Sequence, residues 1–293
     1  MSGLYTVGDD VKMRFDNGAV TLYSNGGTLW PDWLERAGID RNAVTSVRVA
    51  KGTICLPAKA SGQSANRHTM FGGLCNAESI DLNNFNTSHV TDMCLMFCNC
   101  HSLTSVSINK CDTSSVTNME GMFYNCKNLT ELDFRGLNTS KVTSMNIMFY
   151  GCSDLTDLDL SGLDTSNVMY MSYMFGNCRN LTEIDLNGLN TSKVINMVGM
   201  FFGCEHIRNV DLSSFDTSKV TDMGSMFFGC GRMKSLNMEN LDMSNVKNMS
   251  SMFSECKKLE KIRMSKVISQ DVDTSYMFTN CPANLILNDK EEA

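Results

Sequence analysis

The chain is poor in proline, in basic charge and in long apolar runs. It contains 3 prolines in 293 residues, so we expect no proline-rich linker between domains. Its net charge of −7 offers no basic field for nucleic acid or for an anionic membrane. No apolar run approaches the roughly 18 residues of a membrane span. The first residues, Met1 to Gly18, show no basic n-region and no apolar h-region, so we expect neither a secretory signal nor membrane insertion.

Catalytic motifs are missing as well. None of the four histidines, His68, His89, His101 and His206, lies in a metal-binding or catalytic motif. The sequence has no glycine-rich phosphate loop, no G-x-S-x-G and no H-E-x-x-H. Because an active site needs residues that break a repeat in one place, the regular sequence predicts a protein that is not an enzyme and has no cofactor.

One dipeptide, Met-Phe, recurs at a fixed interval. Successive pairs are 26 residues apart, except that the last follows after 25. A period of this length is typical of a solenoid, in which each repeat forms one coil and the stacked coils share a core. The methionines of the pairs, counted below as position 0 of each coil, are Met70, Met96, Met122, Met148, Met174, Met200, Met226, Met252 and Met277.

Within each repeat about nine positions are apolar. Leu158, Asp159 and Leu160 alternate as a half-buried strand should, and Val168 to Met171 is a candidate second strand. The segment from Ser172 to Cys178 predicts a helical turn. We therefore predict a β-rich solenoid with two short strands and one helical turn per coil. Seven Asx residues that begin Asx-Thr-Ser or related turns should form a hydrogen-bonded ladder at one corner, namely Asn86, Asp112, Asn138, Asp164, Asn190, Asp216 and Asp242.

The repeat unit resembles the Met-Phe version of the BspA-like leucine-rich repeat, which many bacterial surface proteins carry in tandem. The unit reads L-x-x-L-D-L-S-x-[LF]-[DN]-T-S-x-V-T-x-M-x-x-M-F-x-x-C, and it departs from this pattern at Leu74 and Met243. The resemblance implies a right-handed leucine-rich-repeat solenoid that serves as a binding or adhesion module, at the cell surface or secreted. A phage virion component or an intracellular scaffold would fit the same fold.

Three regions follow from the repeat boundaries. Residues 1–69 are predicted to form an N-terminal cap with a degenerate first coil. Asn17-Gly18 lies between two stretches in which apolar and polar residues alternate, which predicts a hairpin. The region includes a predicted short helix from Trp30 to Arg36, with Pro31 near its first turn. It also holds two tryptophans, Trp30 and Trp33, which we expect to cover the first coil. Residues 70–287 are the tandem repeats, closed by Leu285 and Leu287, and residues 288–293 are a polar tail.

Thirteen cysteines require an explanation. Eight of them share position +4 of the coils, which places one thiol per coil without the clustering that zinc requires. Stacked coils lie ~4.8 Å apart, so disulfides between neighbours are geometrically conceivable. Cysteine is also a small buried hydrophobe, and we favour packing over disulfides and metal binding.

The first candidate docking surface is a row of outward strand residues in which aspartate dominates, termed here the Asp row: Asp133, Asp159, Asp185 and Asp211. Neighbouring carboxylates repel each other, so a calcium ion, a basic partner or local hydrogen-bond donors should relieve them. Calcium on the Asp row is thus one hypothesis, and the use of these side chains as turn caps is the alternative.

The second candidate, the Tyr170 patch, lies where the polar repeat becomes apolar: Met169, Tyr170, Tyr173, Ile195 and Val198. The third is an aromatic stripe at position +2, formed by Tyr124, Tyr150, Phe202 and Phe228. We predict a non-enzymatic protein-binding or adhesion module whose partner, another protein or cell-surface macromolecule, contacts the Tyr170 patch or the Asp row. The sequence does not define the oligomeric state.

Overall fold

The computed structural model describes residues 3–58, 69–264 and 270–287. The chain folds as a β-solenoid of about nine coils with almost no helix, as the 26-residue period predicts. The only α-helix in these ranges, α1, spans Trp33–Ala37, and a 3-10 turn follows at Arg41–Ala43. None of the described helices is long and apolar enough to cross a bilayer.

The core is a stack of identical side chains. The phenylalanines of the Met-Phe pairs, from Phe71 to Phe278, form one continuous column with ring centroids 5.4–6.0 Å apart. Methionine, leucine, valine and cysteine at the other inward positions are buried around it. Each coil alone would leave this apolar column half exposed, so its burial couples every coil to its neighbours.

In the described ranges, twelve short strands form two sheets. The larger sheet has the order β8-β6-β4-β1-β2-β3-β5-β7-β9, and the smaller one is the parallel set β10-β11-β12. The strands are β1 Gly3–Asp9, β2 Val11–Asp16, β3 Ala19–Tyr23, β4 Thr28–Leu29, β5 Ser46–Lys51, β6 Ile54–Cys55, β7 Ser79–Asp81, β8 Phe85–Asn86, β9 Ser105–Ser107, β10 Ser235–Met238, β11 Lys261–Met264 and β12 Asn284–Leu287.

The N-terminal hairpin closes the first coil. Strands β2 and β3 pair antiparallel across Asn17 and Gly18, whose φ angles of 46° and 86° are those that a tight two-residue hairpin turn needs. Strand β3 continues in parallel into β5, β7 and β9, while β1 leads through β4 to β6 and β8. The antiparallel strands thus join both strand rows of the solenoid and cover its end.

Only one of the two tryptophans is buried in the cap. The indole of Trp33 is fully buried, packs edge-on against Phe71 with centroids 6.2 Å apart, and donates to the carbonyl of Met70. Trp30 is partly exposed, and the guanidinium of Arg36 lies 4.5 Å from its ring centroid. The prediction that both tryptophans cover the first coil is therefore correct for Trp33 and wrong for Trp30.

The predicted helical turn takes the form of consecutive turns that never extend into a helix. Alternate amides donate to the next coil: those of Ile147 and Phe149 bond to the carbonyls of Ser172 and Met174, at 2.8 and 2.9 Å. The intervening amides of Met148 and Tyr150 donate three residues back. An α-helix would keep all these bonds within one coil, so the stacking of coils replaces it.

The corner of each coil is held by threonine rather than by the predicted Asx ladder. The Thr139 hydroxyl donates to the carbonyl of Asp164 in the next coil at 2.9 Å and accepts from its amide at 2.8 Å. The Asp164 carboxylate instead accepts from the amide of Ser166, inside its own coil. The Asx side chain stays within its own turn, and the buried threonine hydroxyl, which both donates and accepts, makes the link between coils.

The thiols at position +4 are packing groups. All 13 cysteines are free, and those from Cys100 to Cys256 at this position are fully buried. Each buried thiol donates to a phenylalanine carbonyl of the preceding coil, as Cys152 does to Phe123 at 3.2 Å. Burial raises the pKa of Cys152 well above its usual range. These contacts favour the packing interpretation.

The two ends of the repeats are described in part. Backbone pairing of β11 with β12 places Leu285 and Leu287 opposite Ile262 and Met264, which extends the parallel sheet to the last coil. The predicted insertion after Lys51 contains β6, but its residues 59–68, including His68, lie outside the described ranges. The predicted polar tail, residues 288–293, also lies outside them, and the division into three regions remains a prediction.

Candidate protein-binding surface

The Tyr170 patch interrupts a ladder of threonines beside the predicted second strand, which in the structure is a row of isolated parallel β-bridges such as that of Tyr170 to Asn196. In neighbouring coils the hydroxyls of Thr117 and Thr143 donate to the carbonyl one coil earlier at 3.2 Å. Met169 and Ile195 occupy the same position, and their amides keep the backbone link between coils, at 2.9 Å each. The fold therefore needs the backbone here and not the side chain, so two half-buried apolar side chains stand where the repeat elsewhere carries a hydroxyl.

Tyr170 is one of three exposed large hydrophobic residues among those described, with an exposed fraction of 36%. Its backbone forms the parallel bridge to Asn196, whose side-chain oxygen accepts from the amide of Val198 at 2.9 Å. Val198 in turn accepts, through its carbonyl, the amide of Tyr173 at 2.7 Å. The predicted patch residues thus occupy adjacent positions on two neighbouring coils.

Tyr173 connects the Tyr170 patch with the aromatic stripe. Its ring lies edge-on to Tyr150 on one side and to Phe202 on the other, with centroid separations of 6.2 and 5.7 Å. Tyr124 stacks on Tyr150 at 5.3 Å, and Phe202 stacks on Phe228 at 4.8 Å. The result is one aromatic ladder across five coils, formed by Tyr124, Tyr150, Tyr173, Phe202 and Phe228, all of them half-buried.

Two glycines make room for this arrangement. The stripe has a gap at Gly176, where a Cβ would come within 2.6 Å of the Tyr150 ring. A Cβ on Gly199 would meet Cε1 of Tyr173 at 2.2 Å. The sequence predicts Tyr173 in the patch but not in the stripe, because Tyr173 lies at position −1. Its ring reaches the stripe only through its backbone conformation. The missing aromatic side chain at Gly176, position +2 of that coil, is the sequence signal for the gap that the ring of Tyr173 fills.

The backbone of Tyr173 is held in the left-handed region, with φ of 53°. A residue with a side chain adopts this conformation at a cost on the order of 1 kcal/mol. The angle belongs to the repeat, because the same position has a positive φ in other coils, at Leu95, Gly121, Ile147, Gly199, Ser225, Ser251 and Tyr276. What distinguishes Tyr173 is its aromatic contact with Tyr150 and Phe202.

The tyrosines of the ladder combine apolar rings with polar hydroxyls. Burial, followed by the charges of Tyr150 and Asp222, raises the pKa of Tyr173. The Tyr150 hydroxyl accepts from the side-chain amide of Asn177 at 2.7 Å. Each tyrosine thus presents an apolar body and a polar tip that can hydrogen-bond.

The aspartates of the Asp row cap turns. The side-chain oxygens of Asp159, Asp185 and Asp211 each accept from the amide two residues later, at 2.9, 3.0 and 2.9 Å. Hydrogen bonds from Arg135 hold the pKa of Asp133 at about 2, and those from Ser161 lower the pKa of Asp159. Local donors therefore relieve the repulsion between neighbours. Among the described residues, no group of three or more His, Cys, Asp or Glu could hold a metal ion.

The structure therefore joins two of the three predicted surfaces and leaves the third apart. The Tyr170 patch and the aromatic stripe share Tyr173. The Asp row lies beside a shallow concavity of about 580 Å³ that Asp133, Arg135 and Asp159 line together with residues of the first strand row. Of the histidines, His89 is exposed and His101 and His206 are half-buried.

Comparison with known proteins places the repeats in a family. A family model described as a Mycoplasma protein of unknown function, DUF285, matches residues 65–183 and 171–288. Among curated proteins, no sequence matches the chain.

Two solved structures are similar in part. A leucine-rich repeat protein from Eubacterium ventriosum is 18% identical, with a TM-score of 0.42 over 98% of this chain and 84% of that one. A leucine rich cell surface protein from Faecalibacterium prausnitzii is 16% identical, with a TM-score of 0.33 over 99% and 96% of the two chains. Since the two matched segments of the family model run from residue 65 to residue 288, the chain belongs to the DUF285 family.

Proposed function

We propose that this chain is a non-enzymatic protein-binding module that engages a protein partner through the Tyr170 patch and the aromatic ladder. The observation that carries the proposal is the position of Tyr173, whose ring joins both sets of side chains. Tyrosine is enriched in the energetic centres of protein interfaces, because it buries a large area at low entropic cost.

The rest of the solenoid supports this choice of surface. Many outward polar side chains elsewhere in the repeats cap turns, as those of Asp159 and Asp164 do. The side chains of Met169 and Ile195 form no such hydrogen bonds, and their backbone amides alone link the coils, so the stacking of coils does not require these side chains. Apolar groups kept at the surface without a structural task are typical of an interaction site.

A location at a bacterial cell surface, where the partner would be a protein of a host or of a neighbouring cell, is part of the proposal. It follows from the resemblance of the repeat and not from any contact in the molecule. The rigid stack of coils would display the ladder at a fixed spacing, so the surface is pre-organised and loses little entropy on binding.

The test uses a variant that restores the repeat. Met169→Thr, Tyr170→Asn and Ile195→Thr introduce residues that neighbouring coils carry at the same positions, so the coils should stack as before. Proteins captured from host-cell surface extracts by the wild-type chain are identified, and their affinities for both chains are measured by biolayer interferometry. We expect at least a tenfold loss of affinity in the variant.

A matched control changes three residues on another face. Ser161→Asn, Asn187→Ser and Ser213→Asn lie along the strand row and use residues that other coils carry at the same position. This variant should bind the partner as the wild type does. Equal affinity of the wild type and the Tyr170-patch variant, with unchanged melting temperatures, would show that the patch is not the binding surface.

A further inference from the structure

The aromatic ladder ends beside a concavity that breaks the repeat. The coil after Phe228 carries Ser254 at position +2, so no sixth ring continues the ladder. A shallow concavity of about 650 Å³ opens there, between the rings of Phe202 and Phe228 and the residues that follow them in three coils. This volume is within the range of ligand-binding sites and can accept several side chains of a partner.

The floor of the concavity is glycine backbone. Gly203 and Gly229 hold φ angles of 67° and 73°, and Gly231 stands where other coils carry Ser153, Arg179 or Lys257. A Cβ on Gly203 would meet the side-chain oxygen of Asn177 at 2.3 Å, whereas at Gly231 nothing lies closer than 3.9 Å. The absence of side chains at these positions keeps the space between the rings and the rim open.

The rim is basic. Position +6 holds His206, Arg232 and Lys258 in three successive coils, whereas earlier coils carry Ser102, Asn128, Asp154 and Asn180 there. The two carboxylates that line the concavity already have partners, Glu205 with Arg179 at 3.4 Å and Glu255 with Lys257 at 3.2 Å. Within the described part of the chain, Arg232 and Lys258 form no ion pair, although the net charge of the protein is −7.

We propose that this concavity binds an acidic segment of the protein partner, with carboxylates on Arg232 and Lys258 and an apolar side chain against Phe228. The inference rests on the proposed function, since it concerns the end of the same ladder. Two like charges on adjacent coils repel each other, and an anionic partner removes that cost while it gains two cationic contacts. The ring of Phe228 supplies the apolar contact that a purely electrostatic site would lack.

The test is selection of peptides on the intact chain. A phage-displayed library of random 12-residue peptides is panned on the wild-type protein and counter-selected on the double variant Arg232→Asn, Lys258→Asn. Asparagine occupies this position in three other coils, so the variant should fold. We expect enriched peptides that combine Asp or Glu with a large apolar residue. Their affinity, measured by fluorescence anisotropy, should fall at least tenfold in the double variant and in Phe228→Ser.

Controls separate charge at this site from charge in general. Lys141→Asn with Lys219→Asn removes two positive charges at position −7, where Asn167 and Asn245 occur in other coils, and should leave the affinity unchanged. Affinity for the selected peptides should also fall between 50 and 300 mM NaCl, because the contacts are exposed.

Four outcomes would overturn the inference. Enriched peptides without acidic residues would do so, as would acidic peptides that bind the wild type and the Arg232, Lys258 variant equally. A heparin octasaccharide that competes fully, with no dependence on Phe228, would identify a polyanion site instead. If the Tyr170-patch variant alone loses the natural partner while the Arg232, Lys258 variant keeps it, the proposed function stands and this inference fails.

Discussion

The ring of Tyr173 lies over the backbone of Gly199 in the next coil, so closely that a Cβ there would come within 2.2 Å of Cε1. Gly199 also has a positive φ, 59°. Gly199 thus has two roles. It forms a turn in its own coil, and it provides the surface against which the Tyr173 ring of the preceding coil packs. The side chain that joins the two parts of the proposed interface depends on a missing side chain 26 residues later.

Gly199→Ala should therefore weaken both the fold and the binding surface. The left-handed backbone conformation costs an L-residue about 1 kcal/mol, and the displaced ring of Tyr173 loses its packing between Tyr150 and Phe202. We expect a destabilisation of about 1–2 kcal/mol in urea unfolding and weaker partner binding. Gly188→Ala is the control, because nothing lies within 3.8 Å of a Cβ there and its φ is not in the left-handed region. A Gly199→Ala protein as stable as the wild type would contradict the close contact.

Acid should unfold the solenoid through its turn caps. Hydrogen bonds from Arg135 lower the pKa of Asp133 to about 2, and hydrogen bonds from Ser161 and Ser166 lower the pKa values of Asp159 and Asp164. A carboxyl whose folded pKa is below its unfolded value of 3.8 stabilises the fold above that pH. This contribution is lost as the pH falls through the lower folded value. We expect the melting temperature to be constant from pH 7 to about 5 and to fall between about pH 4 and 2.

A pair of variants at Asp159 separates charge from capping. Asp159→Asn can keep the turn, because Asn237 accepts the corresponding amide of Glu239 at 3.0 Å in a later coil. Its melting temperature should be slightly below that of the wild type at pH 7, because the stabilising charge is lost, and should depend less on pH below 4. Asp159→Ala removes the acceptor and should melt earlier at every pH. Identical acid sensitivity in all three proteins would exclude this carboxylate as a contributor.

The buried thiols should resist modification. Burial raises the pKa of Cys178 well above its usual range, and the thiol donates to the carbonyl of Phe149 at 3.2 Å. We expect iodoacetamide at pH 8 to leave Cys178 and the other position +4 thiols from Cys100 to Cys256 unlabelled in the folded protein, while the half-buried Cys55 and Cys75 react first. Peptide mass spectrometry, with the urea-unfolded protein as the fully labelled reference, gives the measurement. Rapid labelling of Cys178 in the folded chain would contradict the packing.

Calcium should have little effect on stability. The aspartates of the Asp row each accept an amide of their own turn, and among the described residues they form no cluster of three or more metal-ligating side chains. Because calcium prefers six to eight oxygen ligands, we expect no shift of the melting temperature in millimolar calcium. Magnesium at the same concentration controls for ionic strength. An increase specific to calcium would revive the hypothesis of a calcium site on this row.

The number and spacing of the coils follow from the sequence alone. The 26-residue interval of Met-Phe defines the stack, the apolar positions define the core, and Asn17-Gly18 defines the hairpin of the cap. These features depend on which residues alternate or recur, and side chains at equal positions of equal coils must coincide in space once the coils stack. For the same reason the composition of the Tyr170 patch and of the aromatic stripe was predictable as two separate surfaces.

The way in which the Tyr170 patch and the aromatic stripe meet depends on the tertiary structure. Tyr173 reaches the stripe because its φ is positive, because Gly176 leaves a gap beside Tyr150 and because Gly199 leaves room beneath the ring. Hydrogen bonds between coils also explain why threonine rather than Asx links the coils and why turns replace a helix. Each depends on hydrogen bonds or contacts between residues about 26 positions apart, whose geometry the backbone angles set and a repeat pattern does not encode.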